Sequence, residues 1–210
     1  MADEIKSDKI LFKDIFSNML FTVPEYQRPY VWGADEINDL LDDIAQAMRE
    51  KPNSEYFLGS FVYQSKSADA KSGQEFNEND LLDGQQRMTT LLLLFSTIRD
   101  IATDDKAKDK CQDCIIQEGS EYTKTPERSR ISFSIRHDAQ DFINDVIKYI
   151  GSTQNEEKLN GHKMPGTNIS IQNMAKAIGL IKAFFSDNPE VKPEEFLKFL
   201  LNNVLLIYIY

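Results

Sequence analysis

Leu81-Leu82-Asp83-Gly84-Gln85-Gln86-Arg87-Met88-Thr89-Thr90-Leu91-Leu92-Leu93-Leu94-Phe95 runs from a strand-like segment through a turn into a helix, and this passage sets the fold class. Leu81 and Leu82 close a short strand that begins at Glu78. Gly84 has no Cβ and so suits a tight turn or a close backbone approach. Asp83 is a favourable N-cap, with Gln86 three residues on at capping-box spacing. The helix that follows, from Gln85 to about Ala102, carries Met88, Leu91, Leu92, Phe95 and Ile98 on one stripe, widened by Leu93 and Leu94. A helix apolar almost all round belongs in the centre of a domain. Arg99 and Asp100 mark its expected return to solvent. Its first turn offers unpaired N–H groups and the positive end of the helix dipole, and Arg87 adds a full charge and a fork of donors. Such an end accepts phosphate. An ordinary capped helix with a solvated Arg87 explains the same residues, and this stretch alone leaves the two readings open.

Upstream, Tyr56-Phe57-Leu58-Gly59-Ser60-Phe61-Val62-Tyr63 is rich in aromatic and apolar residues and reads as a strand. Gly59 inside it marks a bulge or a close backbone approach. The polar stretch Gln64–Asn79 reads as a loop that joins this strand to Glu78–Leu82 in a hairpin-like pair. Gly33–Glu50 is an amphipathic helix with Ile37, Leu40, Leu41, Ile44 and Met48 inward. Asp35, Glu36, Asp39, Asp42 and Asp43 lie opposite and read as a solvated acidic face rather than a metal site. Before that helix comes Pro24-Glu25-Tyr26-Gln27-Arg28-Pro29-Tyr30-Val31-Trp32, a loop stiffened by two prolines that holds the only tryptophan. Tyr30 and Trp32 read as core anchors. Gln27 and Arg28 read as binding groups, because a rigid loop is a good platform for them. Asp8–Asn18 is predicted as a short helix, and Leu20–Val23 as a strand ended by Pro24.

Downstream, Thr103–Arg130 is polar, with a short helical piece near Asp109–Gln117. Arg130–Arg136 alternates and reads as a strand. Helices are predicted over Asp138–Ile150, Ser170–Phe185 and Pro193–Leu201, the last started by Pro193. Gly151–Gly166 reads as a loop, and Val204–Tyr210 as a strand. The expected fold class is α/β (α+β): a small sheet with packed helices, followed by a mostly helical part. A natural domain seldom stops inside a β run, so the chain is expected to be the N-terminal piece of something longer.

The chain has 210 residues, 41% hydrophobic and 28% charged, with a formal net charge of -10. That is a soluble globular composition with enough apolar residues for a core. It lacks the overall basic footprint of a nucleic-acid binder, though a local patch remains open. No stretch approaches the roughly 18 apolar residues of a membrane helix, so no membrane partner is expected. Met1-Ala2-Asp3-Glu4-Ile5-Lys6 has no apolar signal core, and a cytoplasmic location is expected. Cys111 and Cys114 form one C-x-x-C pair without two further nearby ligands, and read as ordinary reduced cysteines.

Three blocks together resemble a known family. They are Phe21-x-Val23-Pro24-x-Tyr26-Gln27-Arg28-Pro29-Tyr30-Val31-Trp32, then Tyr56-Phe57-Leu58-Gly59-Ser60, then Leu82-Asp83-Gly84-Gln85-Gln86-Arg87-Met88-Thr89-Thr90-Leu91. In order and spacing they resemble the N-terminal domain of GmrSD-type modification-dependent (type IV) restriction proteins, whose relatives include DNA-phosphorothioate-sensing defence effectors. The D-G-Q-Q-R block is the most specific, and the later chain resembles the family only in its sequence of elements. The resemblance implies a ParB/sulfiredoxin-like core that binds and hydrolyses nucleoside triphosphates, here over residues 1–102. A mainly helical extension would cover 103–210, with strands near 130–136 and 204–210. It also implies a C-terminal HNH-type nuclease domain as partner, beyond Tyr210, since neither His137 nor His162 has paired metal ligands nearby.

On this resemblance Asp83, Gly84, Gln85, Gln86 and Arg87 match the hydrolysis motif. Tyr26, Gln27 and Arg28 match the second signature, which in phosphorothioate-sensing relatives lies at the modified-DNA contact. Asp83 and Arg87 are thus the candidate catalytic residues. Gln27, Arg28, Gly84, Gln85 and Gln86 are the candidate nucleotide-binding residues. Tyr26, Gln27 and Tyr30 are the candidate DNA-sensing residues. Mg²⁺ is the expected cofactor, held by Asp83, unless Asp83 instead orients the attacking water. No G-x-x-x-x-G-K-[ST] occurs, which excludes a Walker-type site. The competing reading is a modified-DNA binding module without turnover, nucleotide being only a regulatory ligand. Lys124, Arg128, Arg130 and Arg136 would then join Arg28 and Arg87 on phosphates. A scaffold using only its fold is a third reading, and oligomerisation is left open.

Overall fold

β3 (Tyr56–Lys66) and β4 (Glu78–Asp83) form the antiparallel pair that their aromatic and apolar content predicts. The computed structural model describes residues 6–66, 78–122, 126–134, 137–164 and 166–210. Much of the polar connection between β3 and β4 falls at 67–77, outside the described residues.

The pair sits in a mixed six-stranded sheet. β1 (Ser7–Leu11), β2 (Phe21–Val23), β7 (Ile131–Phe133) and β8 (Val204–Ile209) complete it in the order β1-β8-β3-β4-β2-β7. β1 runs antiparallel to β8, while β8 is parallel to β3 and β2 is parallel to both β4 and β7. Strands β7 and β8, from the second half of the chain, thus complete a sheet begun in the first half. Residues 135–136 of the predicted 130–136 strand lie outside the described residues. A two-stranded ribbon of β5 (Ile116–Gln117) and β6 (Arg128–Ser129) stands beside the sheet.

Helix α3 (Gln85–Ile101) is the axle of the helical layer. It is buried without a break from Met88 to Arg99, as its all-round apolar sequence requires. Around it lie α1 (Phe12–Asn18), α2 (Ala34–Glu50), α4 (Asp105–Ile115), α7 (Ile169–Asp187) and α8 (Pro193–Asn203). Phe95 on α3 meets Phe16 edge-on at 5.0 Å and Phe12 at 5.9 Å, locking α1 to the axle. Full burial of each such side chain contributes about 1.5–3 kcal/mol. Among the described residues, no helix is long and apolar enough to cross a membrane.

Several sequence expectations need correction. Residues 7–11 are strand β1, not the start of a helix, because they pair with β8 from Ser7↔Ile209 to Leu11↔Leu205. That pairing joins the two ends of the chain and overrides the local helical spacing. Gly151–Gly166 contains a 3₁₀ turn at Ser152–Gln154 and helix α6 (Glu156–His162), capped by Asn155, whose side chain accepts the Lys158 N–H. The helix expected over Asp138–Ile150 is α5 (His137–Phe142) followed by a π-helical turn at Ile143–Ile147. Last, Arg99 and Asp100 do not return to solvent, since both side chains are fully buried against one another.

Candidate functional site

The turn between β4 and α3 differs from the capping box its sequence suggests. Asp83 ends β4, paired with Val62, and its side chain is exposed. Gly84 is the N-cap, at φ 86° and without a side-chain cap. A Cβ there would lie 2.9 Å from Phe61 Cβ and 3.3 Å from the Ser60 carbonyl, so only glycine fits. The backbone is thereby brought against β3, and the first-turn amides of α3 keep no intrahelical partner.

Both glutamines turn away from the cap and clasp the Pro24–Trp32 loop. Gln85 Nε2 donates to the Arg28 carbonyl at 2.5 Å. Gln86 Nε2 donates to the Pro29 carbonyl at 2.9 Å, and Gln86 Oε1 accepts the Val31 N–H at 2.8 Å. From the other side, Gln27 Nε2 donates to the Leu82 carbonyl at 2.7 Å. Tyr30 is buried, its hydroxyl 2.8 Å from Thr90 Oγ1 and its N–H bonded to Ser170 Oγ. Burial raises the Tyr30 hydroxyl well above the usual tyrosine value, so it stays neutral. The loop is thus pinned at five consecutive positions, Gln27–Val31, and the two sequence blocks form one rigid unit.

Arg87 lies across β3. Its Nη1 donates to the Ser60 carbonyl at 3.1 Å, and the guanidinium rests on Gly59. A Cβ on Gly59 would come within 2.7 Å of Arg87 Nη1, and Gly59 has φ 137°. The β3–β8 register shifts between Phe57 and Gly59, so the glycine is both the bulge and the close approach that its place in a strand predicts. Burial lowers the Arg87 pKa, and the Asp83 charge opposes that shift. Among the described residues Arg87 makes no ion pair, so a half-buried cation keeps most of its donors for a ligand.

These groups wall a cavity of ≈ 380 Å³, with Gln27, Arg28, Asp83, Gly84, Gln86 and Arg87 among its lining residues. Gln85, Trp32, Phe57, Gly59 and Ser60 complete the wall. The arrangement suits an anion: free helix amides, two guanidinium groups and one carboxylate at the lip. Every candidate catalytic and nucleotide-binding residue is in this wall. Of the candidate DNA-sensing residues, Gln27 lines it, Tyr26 stands 72% exposed outside it, and Tyr30 is enclosed in the core. Trp32 and Phe57 also line the cavity, and the local signal for Phe57 is its place at the start of a strand, two residues before a bulge glycine.

The remaining candidates fare differently. Arg128 pairs with Glu78 and donates to Thr22 Oγ1 at 2.9 Å and Ser132 Oγ at 2.7 Å. Arg130 donates to the Asp113 carbonyl. Protein atoms already engage both, while Lys124 and Arg136 lie outside the described residues. Cys111 and Cys114 are free and buried; burial pushes both thiols up, Cys114 to about 12. A larger cavity of ≈ 510 Å³ lies between α1, α4 and α8, edged by Lys13, Lys106, Lys110 and Lys198. It holds no motif residue, and its size alone gives it no chemistry.

Compared with known proteins, the chain matches over residues 9–210 the family described as GmrSD restriction endonuclease, N-terminal domain. The match takes in β7, β8 and all the later helices as well as the motif blocks. No curated protein matches the chain.

Proposed function

The chain belongs to the family of GmrSD restriction endonuclease N-terminal domains, and from that premise we propose that it binds and hydrolyses a nucleoside triphosphate as the sensor part of a DNA restriction, phage-defence, system. One observation carries the reading: Arg87, half-buried and without an ion pair among the described residues, faces the same cavity as Arg28 and the free amides of the α3 N-terminus. The nearby Asp83 charge offsets only part of the cost of half-burying this guanidinium, and a phosphate chain would offset the rest.

In this reading the amides of Gln85 and Gln86 hold phosphate oxygens, and the Arg87 and Arg28 guanidinium groups neutralise them. Gln85 and Gln86 side chains act one step back by fixing the loop that carries Arg28. Asp83 fits a magnesium site, because that ion keeps several waters and needs only one or two carboxylates besides the phosphates. The ion would supply charge neutralisation across the phosphate oxygens. Asp83 either holds it or orients the attacking water. Positioning and charge stabilisation are the main requirements of phosphoryl transfer, and these residues meet them. In the full restriction protein the site would govern a C-terminal nuclease domain. Exposed Tyr26 and Arg28, on the rim of the loop, would meet modified DNA. A DNA-only module is the weaker reading, because Arg128 and Arg130 are engaged within the protein.

Phosphate release from purified wild-type chain tests this. Slow, Mg²⁺-dependent release is expected, lost in Asp83→Ala and in Arg87→Ala. Release unchanged in both variants would overturn the proposal.

A further inference from the structure

Two aromatic side chains in the cavity wall have no part in the phosphate chemistry. Trp32 comes from the end of the loop and Phe57 from the start of β3, and both line the cavity. Phe57 is 52% exposed, although its neighbour Leu58 packs on the core. Trp32 is half-buried and rests on the core through part of its ring. Neither ring stacks on another aromatic among the described residues. A large apolar ring left open in a polar cavity is a poor use of burial. It fits a site whose missing partner is itself flat and aromatic.

We propose that Trp32 and Phe57 form the nucleobase subsite of this cavity, stacking on the base of a nucleoside triphosphate whose phosphates lie on Arg87 and the α3 N-terminus. The inference rests on the nucleotide reading above and adds where the base goes. Stacking uses the π-face that every base has, so the subsite accepts purines and pyrimidines alike. Trp32 and Arg28 belong to the same loop that Gln85 and Gln86 clasp. Base and phosphates are thus read by one rigid unit.

Trp32 is the only tryptophan in the chain, so intrinsic fluorescence reports the subsite directly. Titrations of the purified chain with ATP, GTP, CTP and inorganic tripolyphosphate, each with Mg²⁺, separate the two ends of the cavity. The nucleotides are expected to quench the emission, and tripolyphosphate is expected to bind without quenching it. Phe57→Ala should weaken ATP binding by about 10- to 100-fold, from the usual worth of one base–aromatic stack. It should leave tripolyphosphate affinity, read by calorimetry, unchanged. Phe57→Tyr keeps the π-face and should retain ATP binding, whereas Phe57→Leu keeps apolar bulk without it and should lose it; a merely structural role for the ring would leave both variants binding. Equal affinity of wild-type chain for ATP and tripolyphosphate overturns the base subsite and leaves the phosphate site standing. So does equal loss of both ligands in Phe57→Ala. Binding of neither ligand overturns the nucleotide reading and the subsite together. Quenching by a single-stranded oligonucleotide but by no nucleotide assigns the rings to DNA and overturns the proposal.

Discussion

Arg87 and Arg99 lie on one helix, twelve residues apart, and both have left bulk water, yet they are treated in opposite ways. Arg99 is fully buried and every nitrogen has a partner. Nε and Nη2 hold the Asp100 carboxylate, at 2.7 and 3.3 Å. Nη1 donates to Gln112 Oε1 at 2.7 Å and to the carbonyl of Ile147 at 2.9 Å, and Nη2 to that of Tyr149 at 2.7 Å. Asp100 in turn accepts the N–H groups of Gly151 and Thr153 and the Thr153 hydroxyl. The pair therefore ties α3 to α4 and satisfies the carbonyls left by the π-helical turn. Among the described residues the Arg87 side chain makes one hydrogen bond, to Ser60, and no ion pair. The difference teaches that the list of partners, more than the residue type or its burial, separates a structural arginine from one kept for a ligand.

The sharpest way to break this contrast is Arg99→Ala. It leaves Asp100 buried without its counter-charge and is expected to cost about 3–5 kcal/mol, read by urea unfolding. Arg87→Ala should leave unfolding nearly unchanged while abolishing phosphate release. Equal destabilisation by the two would erase the distinction. The Asp100 side of the pair has a pH signature. Burial pushes its carboxyl up, but Arg99, the Gly151 N–H and Thr153 together outweigh that and hold it below its ordinary 3.8. A depressed carboxyl contributes its stability above the unfolded value and loses it as pH falls through the folded one. Acid unfolding should therefore steepen below about pH 4 in the wild type and flatten in Asp100→Asn.

Gly59→Ala sharpens the other side. The new Cβ meets the Arg87 guanidinium and sits at φ 137°. About 1–3 kcal/mol of strain is expected, together with loss of phosphate release as Arg87 is displaced. Full activity in this variant would show that the contact is incidental. Gln86→Ala removes two bonds to the loop, at Pro29 and Val31. It should cost about 1–3 kcal/mol and raise KM more than it lowers kcat, since Gln86 positions Arg28 through the backbone. Tyr30→Phe is the mildest change. Loss of the Thr90 bond should cost about 1 kcal/mol, with phosphate release retained. A collapse of activity there would mean that Tyr30 does more than anchor.

The fold class was legible in the sequence, and so were single backbone positions around the cavity. Gly59 inside a strand and Gly84 before a helix are signals that a residue without Cβ must sit there, and both cradle the cavity. Buried Tyr30 matches its reading as a core anchor, because it stands among prolines in a stiff loop. Asp83 misled as a cap: Asp and Gly both suit that end of a helix, and the choice went to Gly84 because only glycine clears Phe61 and Ser60. Gln86 matched the capping-box spacing but found the loop instead. Arg99 and Asp100 look like a charged helix end in any local window. Their partners, residues 112 and 147–153, are far along the chain.

The sequence by itself determined the α3 axle, the α/β class and the glycines, because period, composition and special backbone positions are local properties. The tertiary structure alone decided that residues 7–11 are a strand beside β8 and that Arg99 is a buried hub. It alone brought Trp32 and Phe57 to the cavity that holds Arg87. Each of those outcomes depends on atoms distant in sequence. A single sequence carries no term for such contacts until the chain has closed on itself.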